Sequence, residues 1–487
     1  MEMLTTVSGW LWNPLAYFAL GLGVFFTLLT KGVQFRRLPD MIRQLRSGKS
    51  GDSGLSSFQT LALTLSSRVG VGSIAGVATA VAAGGPGAIF WMAVTGLVGS
   101  TCAYAEAVLA QVYKRRVQGE DRGGMPYYIK YGLRAPRVAG LMAILGIGVY
   151  GFVLPGIQVN NIGSSAELAF GVQPWVTGLV VTAVLAFVIV GGTRRIVNMA
   201  QAVVPIMALG YVLTCAVIIA MHLDEVPHAA GVIVSSAMGT DQVFGGLVGH
   251  AVAWGVRRAV FASSTGLGEG TFASAAAQTS HPGKQGIVQA FSIYIDVLLI
   301  CMMTGLTIVI TGAYNVKEPS GGFLVENVPG VVAGPNFMQE AIDTGLPGWG
   351  ASFVAVAILL FAFTTQVFYF YAATTNLMFL FGEQGNRFME FALKLGALAI
   401  SFIGAVVSAE TMWAAGDIVL ALIGWLNMTC VLLLTPVVRK VIRDYDRQRR
   451  EGVDPVFDPE RLDIGNAEYW VVKKTTKSEP GQAGQLT

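Results

Sequence analysis

Two glycine-rich breaks lie inside long apolar stretches far apart in this chain: Gly70-Val-Gly-Ser-Ile-Ala-Gly76 and Gly266-Leu-Gly-Glu-Gly270. An unpaired backbone amide costs several kcal/mol in hydrocarbon, so non-helical backbone at membrane depth persists only where it is buried in protein or lines a polar cavity. Helices interrupted at corresponding places in two halves of a chain point to a binding site near the bilayer midplane, which is the layout of a secondary transporter. The competing reading is plain packing, because membrane helices use glycine for close approach and this chain has 60 of them.

Apolar residues make up 53% of the chain against 13% charged, too apolar for a soluble surface and too long for a single span. The chain reads as a polytopic protein of the lipid bilayer, with no nucleic-acid partner and no organic cofactor expected. Cys102, Cys215, Cys301 and Cys430 all fall in apolar runs without metal-ligand spacing and read as small packing residues. The N-terminus lacks the basic region and small-residue cleavage site of a signal peptide, so the apolar run from Trp10 to Thr30 is expected to stay as the first span.

With about 20 apolar residues per crossing, about eleven transmembrane helices are expected, at 10–30, 57–83, 87–113, 138–168, 174–192, 200–221, 243–279, 285–314, 349–381, 389–409 and 412–437. Basic residues cluster after the first span (Lys31, Arg36, Arg37, Arg43, Arg46, Lys49) and the third (Lys114, Arg115, Arg116, Arg122, Lys130, Arg134, Arg137). They also follow the fifth (Arg194, Arg195) and the last (Arg439, Lys440, Arg443), whereas the loops 222–242 and 315–348 hold only Lys317. The positive-inside rule then puts the N-terminus outside and the C-terminus in the cytoplasm of a plasma membrane, in bacteria the inner membrane.

Setting aside the first span leaves two sets of five, each opening with a broken member; an odd number per set inverts the second against the first. The expected organisation is an extra helix and basic loop at 1–54, a first five-helix repeat at 55–225, an inverted second repeat at 226–438 and a cytoplasmic tail at 439–487. The tail, with Asp444-Tyr-Asp-Arg-Gln-Arg-Arg-Glu451, reads as a short solvated helix before a Ser/Gly/Gln-rich end.

Unwinding a helix at the midplane frees backbone N–H groups at one half-helix N-terminus, where about half a positive charge gathers and can hold a carboxylate. The freed carbonyls can take an ammonium or a cation, so an amino-acid zwitterion finds both partners in one cavity. Gly70, Gly72 and Ser73, with Ile74 beside them, are the expected carboxylate-binding positions, and Ser263, Ser264, Thr265 and Gly266 the opposing carbonyls and hydroxyls. Ionisable residues at depth are expensive and are paired or functional; here they are Arg68, Glu106, Glu269 and Asp296, with Arg257 and Arg258 nearer the outer half. Arg68 is expected to brace Glu106 or Asp296. Glu269 lies within a break and reads as a proton carrier, an ammonium partner, or a carboxylate solvated in a cytoplasmic vestibule. There is no Cys/His cluster, His-Glu-x-x-His run or nucleophile elbow, and His222, His228, His250 and His281 are scattered, so an enzyme is not expected. A channel and a non-transporting amino-acid sensor are the other classes.

Further blocks carry a family resemblance. The run from Ser67 to Met92, Tyr104-Ala-Glu-Ala107, Gly123-Gly-Met-Pro-Tyr-Tyr128, Gly255-Val-Arg-Arg258, His281-Pro282 with Gln285-Gly286, and Phe361-Ala-Phe-Thr-Thr365 resemble, in order, those of the alanine or glycine:cation symporters. The resemblance covers nearly the whole chain apart from the tail. It implies an all-α, leucine-transporter-like fold of 5+5 inverted repeats, and sodium-driven import of a small neutral amino acid, alanine or glycine, by alternating access. Gln158 in Gln-Val-Asn-Asn161 resembles the family's Gln-x-Asn element and is a candidate to hydrogen-bond the substrate, the other reading being an interhelical bond of about 0.6 to 2 kcal/mol. By resemblance to the fold, Thr364 and Thr365 complete a sodium site with the backbone carbonyls of Val69 and Gly72, hard oxygens for a hard cation. The other fate of such threonines is a bond back to their own helix. Ser73 stands where the family usually has Asn in the first break. In the second, an amide and a carboxylate of the family's pattern are replaced by Ser263 and Ser264, and a carboxylate follows as Glu269. A proton-coupled transporter of another small solute, using Glu269, is the alternative.

Overall fold

The computed structural model describes residues 2–47, 55–318, 320–382 and 387–478; Lys49, the boundary at residue 54 and the polar end from residue 479 lie outside it. Among the described residues, eight helices are long and apolar enough to cross a bilayer: Thr6–Leu29, Gly87–Val112, Pro136–Phe170, Gly192–Met221, Pro282–Thr311, Gly350–Phe381, Phe388–Val406 and Ala409–Leu433. The expected spans 57–83 and 243–279 are each two helices. The first consists of Ser57–Arg68, a 3-10 turn Val71–Ser73 and Ala75–Gly84; the second is Val248–Ser263 followed by Glu269–Ala276. The range 174–192 holds the 17-residue helix Pro174–Val190.

With lipid on one side and protein on the other, both apolar, an amphipathic stripe does not set how such helices face each other; close approach at small residues does. A Cβ on Gly96 would stand 2.6 Å from the Val297 side chain, and one on Gly178 would stand 2.6 Å from Ala405 Cβ. Helix starts follow ordinary capping chemistry. Ser56 and Gln59 form a capping box at Ser57–Arg68, Ser408 accepts from the Thr411 N–H at 3.4 Å, and Pro136, Pro174 and Pro282 occupy first-turn positions where their missing N–H is not needed. Two long spans contain a π-helical turn, at Val149–Val153 and Tyr294–Cys301.

Two short antiparallel hairpins qualify the all-α expectation. Arg115–Val117 pairs with Glu120–Arg122 through a two-residue turn in which Gln118 and Gly119 both have positive φ, 51° and 78°. Asn315–Lys317 pairs with Phe323–Glu326. The stretch read as the loop 222–242 contains the helix Val226–Met238, and Pro335–Gly345 packs on Ala75–Gly84 and Gly350–Phe381.

The tail is not a solvated helix. Thr435–Arg450 buries Val438, Val441, Ile442, Asp444, Tyr445 and Gln448, a stripe at helical spacing that the surrounding charges obscure in the sequence. The chain then folds back over the segment that follows the second broken helix. Phe457 N–H donates to the Ser280 carbonyl (2.9 Å) and Ser280 Oγ to that of Pro455 (2.7 Å). Trp470 Nε1 donates to Gln111 O (2.9 Å), the Tyr469 hydroxyl to Asp121 (2.8 Å) and Lys473 to Thr279 O (3.0 Å). Beneath the Tyr469 ring, 4.3 Å from its centroid, the buried Lys114 ammonium donates to Asp121 and to the Ala277 carbonyl.

Asp444 organises this contact by accepting from Gln448 Nε2 (2.8 Å), Arg461 (2.8 Å) and Arg447, with His281 Nε2 at 3.3 Å. His281 Nδ1 accepts from Gly283 N–H at 3.0 Å, so the proton sits on Nε2 and the ring is a neutral donor. Burial lowers the His281 pKa although Asp444 opposes it. Burial alone would raise Asp444, but the bond from His281 and the Arg461 charge hold it below the usual carboxylate range. For His281 the folded value is depressed, so its contribution to stability is present above about 6.5 and is lost as the pH falls toward the lowered value, when Nδ1 can no longer accept. Limited proteolysis of the purified protein should therefore nick the 451–478 region faster as the pH drops below about 6.5. His281→Phe should remove that dependence.

Candidate functional site

The two broken helices cross. Ser57–Arg68 packs against Glu269–Ala276, and Ala75–Gly84 against Val248–Ser263. At the crossing Gly72 lies directly on the second broken helix, where an added Cβ would stand 3.0 Å from Ala262 Cα and 2.9 Å from the Phe261 ring. Gly70 is extended (φ −127°, ψ −157°), and a Cβ there would come within 2.7 Å of Thr365 Oγ1 and 3.5 Å of Gln158 Oε1. The second break turns through three left-handed residues, Ser264, Gly266 and Gly268, at φ 53°, 81° and 75°; two of them being glycine keeps the steric cost low. From Val69 to Ile74 and from Ser263 to Glu269 every residue is buried, so neither break faces solvent.

Gln158, on Leu154–Phe170, faces the first break and accepts from the Val71 N–H at 3.4 Å. Thr365 ties the helix Gly350–Phe381 to the last turn before that break, donating to the Ser66 carbonyl (2.8 Å) and its own Phe361 carbonyl (2.9 Å). Its neighbour diverges: the Thr364 hydroxyl donates to Phe361 O (3.0 Å) and meets Met207 Sδ at 3.9 Å. Ile74 N–H closes the 3-10 turn on the Val71 carbonyl at 3.2 Å. In the second break, Ser263 Oγ bonds Ala259 O (2.7 Å) and Thr265 Oγ1 (2.9 Å), while Ser264 Oγ donates to Glu269 at 2.6 Å. Glu269 is only 1% exposed, which removes the reading of a carboxylate solvated in a vestibule.

Glu106 and Asn427 hold the second break in shape. The Glu106 carboxylate accepts from Gly268 N–H (3.2 Å) and from Asn427 Nδ2 (2.6 Å). Asn427 also donates to the Gly266 carbonyl at 2.8 Å and accepts from the Tyr128 hydroxyl, and Tyr150 OH reaches the Leu267 carbonyl at 3.4 Å. Glu106 stands out in the sequence as a buried charge but not as a cap for the break, and Asn427 does not stand out at all. Its signal was an amide in an apolar run, the same signal that marks Gln158.

The brace expected of Arg68 takes another form. Among the described residues it forms no ion pair; Nη1 donates to the Gln289 carbonyl (3.1 Å) and to the Ser292 hydroxyl. Asp296 instead accepts from Ser73 Oγ at 2.6 Å. Arg257 and Arg258 are both paired with Asp417, the latter at 3.4 Å, and Trp12 Nε1 donates to the Asp417 carbonyl at 2.7 Å. All four cysteines are free and buried.

The model of the sodium:alanine symporter family matches residues 1–459. The sodium/proton-dependent alanine carrier protein of Bacillus sp. (strain PS3) is 45% identical, over 88% of this chain and 97% of its own. The sodium/alanine symporter AgcS of Methanococcus maripaludis is 34% identical, over 92% of this chain and 98% of its own. Among solved structures, that of the Eremococcus coleocola manganese transporter matches with a TM-score of 0.51 at 11% identity, over 86% of this chain and 91% of that one, a likeness of fold alone. The architecture is leucine-transporter-like. With the match running through both breaks and every long helix, the chain belongs to the sodium:alanine symporter family and is a multi-pass membrane transporter, not an enzyme.

Proposed function

We propose that this transporter is a sodium-coupled symporter that imports alanine or glycine across the plasma membrane by alternating access. The observation that carries the reading is the crossing of two buried breaks, with Gln158 and Thr365 set against Gly70. In this reading the first span stands outside two inverted sets of five, 55–225 and 226–438, with the N-terminus outside and the tail in the cytoplasm. The Gly72 amide and Gln158 receive the substrate carboxylate, joined by the amides of Gly70, Ser73 and Ile74 when they exchange their bonds to the Arg68, Gly70 and Val71 carbonyls for it, and the carbonyls and hydroxyls from Ser263 to Gly266 receive its ammonium. Sodium is held by the carbonyls of Val69 and Gly72 and by the threonine pair, with Thr365 taking the larger share because Thr364 turns toward Met207. The relatives' names support alanine and sodium; one of them also names the proton. That name and the buried Glu269 favour a second reading, in which a proton on Glu269 drives the cycle.

The deciding experiment is uptake of labelled alanine and glycine into proteoliposomes under a sodium gradient, a proton gradient, or neither. Accumulation under sodium alone supports the proposal. Accumulation under protons alone moves the coupling to a carboxylate, and none under either sinks it. Thr365→Ala should raise the half-saturating sodium concentration by about tenfold, equivalent to about 1.4 kcal/mol. Thr364→Ala should change it less, and equal effects would refute the unequal shares.

A further inference from the structure

Three buried carboxylates, Glu106, Glu269 and Asp296, lie within electrostatic reach of one buried guanidinium, Arg68. If all were ionised, two negative charges would be left over in a region from which water is excluded, a state that hydrocarbon surroundings do not tolerate. Glu106 is met by two hydrogen-bond donors and Glu269 by Ser264 at the start of a helix, where the N-terminal dipole favours a negative charge. Asp296 has less. It is fully buried, its Oδ1 accepts from Ser73, and its Oδ2 has no hydrogen-bond partner.

The surroundings of Asp296 suit an ion that comes and goes. It sits in the π-helical turn Tyr294–Cys301, a local widening that often marks functional sites. Arg68 and Cys301 are the charged or titratable groups that face it. Arg68 is engaged with Gln289 and Ser292, and Cys301 Sγ stands 4.0 Å from Oδ1. From Gly192–Met221, Tyr211 reaches only as far as Thr304 (2.8 Å), whose hydroxyl donates to the Ser73 carbonyl at 3.0 Å. Both the side chain and the carbonyl of Ser73 are thus held from the Asp296 helix, and Ser73 belongs to the first break.

We propose that Asp296 is a second coupling-ion site, separate from that of Val69, Gly72 and Thr365, which takes one monovalent cation, a proton or a sodium ion, at its free oxygen and transmits occupancy to the first break through the Ser73 hydroxyl. The coupling role rests on the transport reading given above; the binding of the ion does not.

Two measurements on the purified full chain without amino acid test it, comparing wild type with Asp296→Asn. If the ion is sodium, labelled sodium bound per chain falls by one in the variant. If it is a proton, the infrared carbonyl band of a buried carboxylic acid, present in wild type, is missing from the variant. Equal sodium counts together with unchanged infrared bands overturn the proposal. Ser73→Ala, which removes the bond to Oδ1 and a longer contact with the Arg68 carbonyl (3.3 Å) but leaves the carboxylate in place, should weaken binding of the same ion by about tenfold and serves as the test if Asp296→Asn does not fold. In proteoliposomes, Asp296→Asn should lose at least tenfold in gradient-driven accumulation while still exchanging alanine for alanine; full accumulation in the variant also overturns the coupling role. Wild type that binds the ion but accumulates no alanine or glycine would refute the proposed cargo and leave this site standing.

Discussion

Glu106→Ala is expected to abolish uptake and to lower the stability of the fold by roughly 2 to 6 kcal/mol, the range for two buried groups left without a partner. Those groups are the Gly268 N–H and the Asn427 amide, both of which donate to the Glu106 carboxylate. The damage spreads because the same Asn427 amide holds the Gly266 carbonyl, so both glycines that shape the second break lose their restraint. Glu106→Gln retains an acceptor oxygen and relieves the excess of negative charge around Arg68, and should recover the fold and part of the uptake. Thermal unfolding in detergent and labelled alanine uptake read the two effects separately. A stable Glu106→Ala protein with wild-type uptake would remove this carboxylate from the site.

Gly70→Ala should reduce uptake by about a hundredfold, about 2.7 kcal/mol in the transport step, with little change in the amount of folded protein. The backbone there has φ −127°, which any residue adopts, so the effect is not conformational. The methyl group would stand 2.7 Å from Thr365 Oγ1, and Thr365 can retreat only by giving up the hydrogen bond that its hydroxyl shares between the Ser66 and Phe361 carbonyls, worth about 1 kcal/mol. Adding Thr365→Ala makes room for the methyl, so the double variant should be no less stable than Thr365→Ala alone and should not regain uptake. Uptake in the double variant equal to that of Thr365→Ala alone would mean that Gly70 serves packing alone.

Much of this was legible in the sequence because membrane helices declare themselves locally. The apolar runs and the two glycine breaks needed no knowledge of distant partners, and the long helices and the breaks lie where they were expected. What escaped depends on pairs remote in sequence. Asn427 meets Glu106 across 321 residues and Trp470 meets Gln111 across 359, and neither residue carries a local sign of its partner. Arg68 misled for the opposite reason: the cost of a charge at depth suggested an ion pair, whereas its Nη1 is met by a carbonyl and a hydroxyl. The tail misled because charges dominate the composition of Thr435–Arg450, although one of them, Asp444, is itself buried, while the apolar stripe beneath is short.

The fold-back of that tail sets an order on how the molecule is made. Glu269–Ala276 is synthesised well before the groups that cover the segment after it, Phe457, Tyr469, Trp470 and Lys473, which follow the last long membrane helix, Ala409–Leu433, in chain order. Until then Lys114 lacks the aromatic rings that close over it. A chain stopped before Phe457 would hold all the long membrane helices of the described residues and still leave the Lys114 ammonium and the Thr279 and Ser280 carbonyls uncovered, so closure of that end of the second broken helix waits on a segment made after the membrane helices.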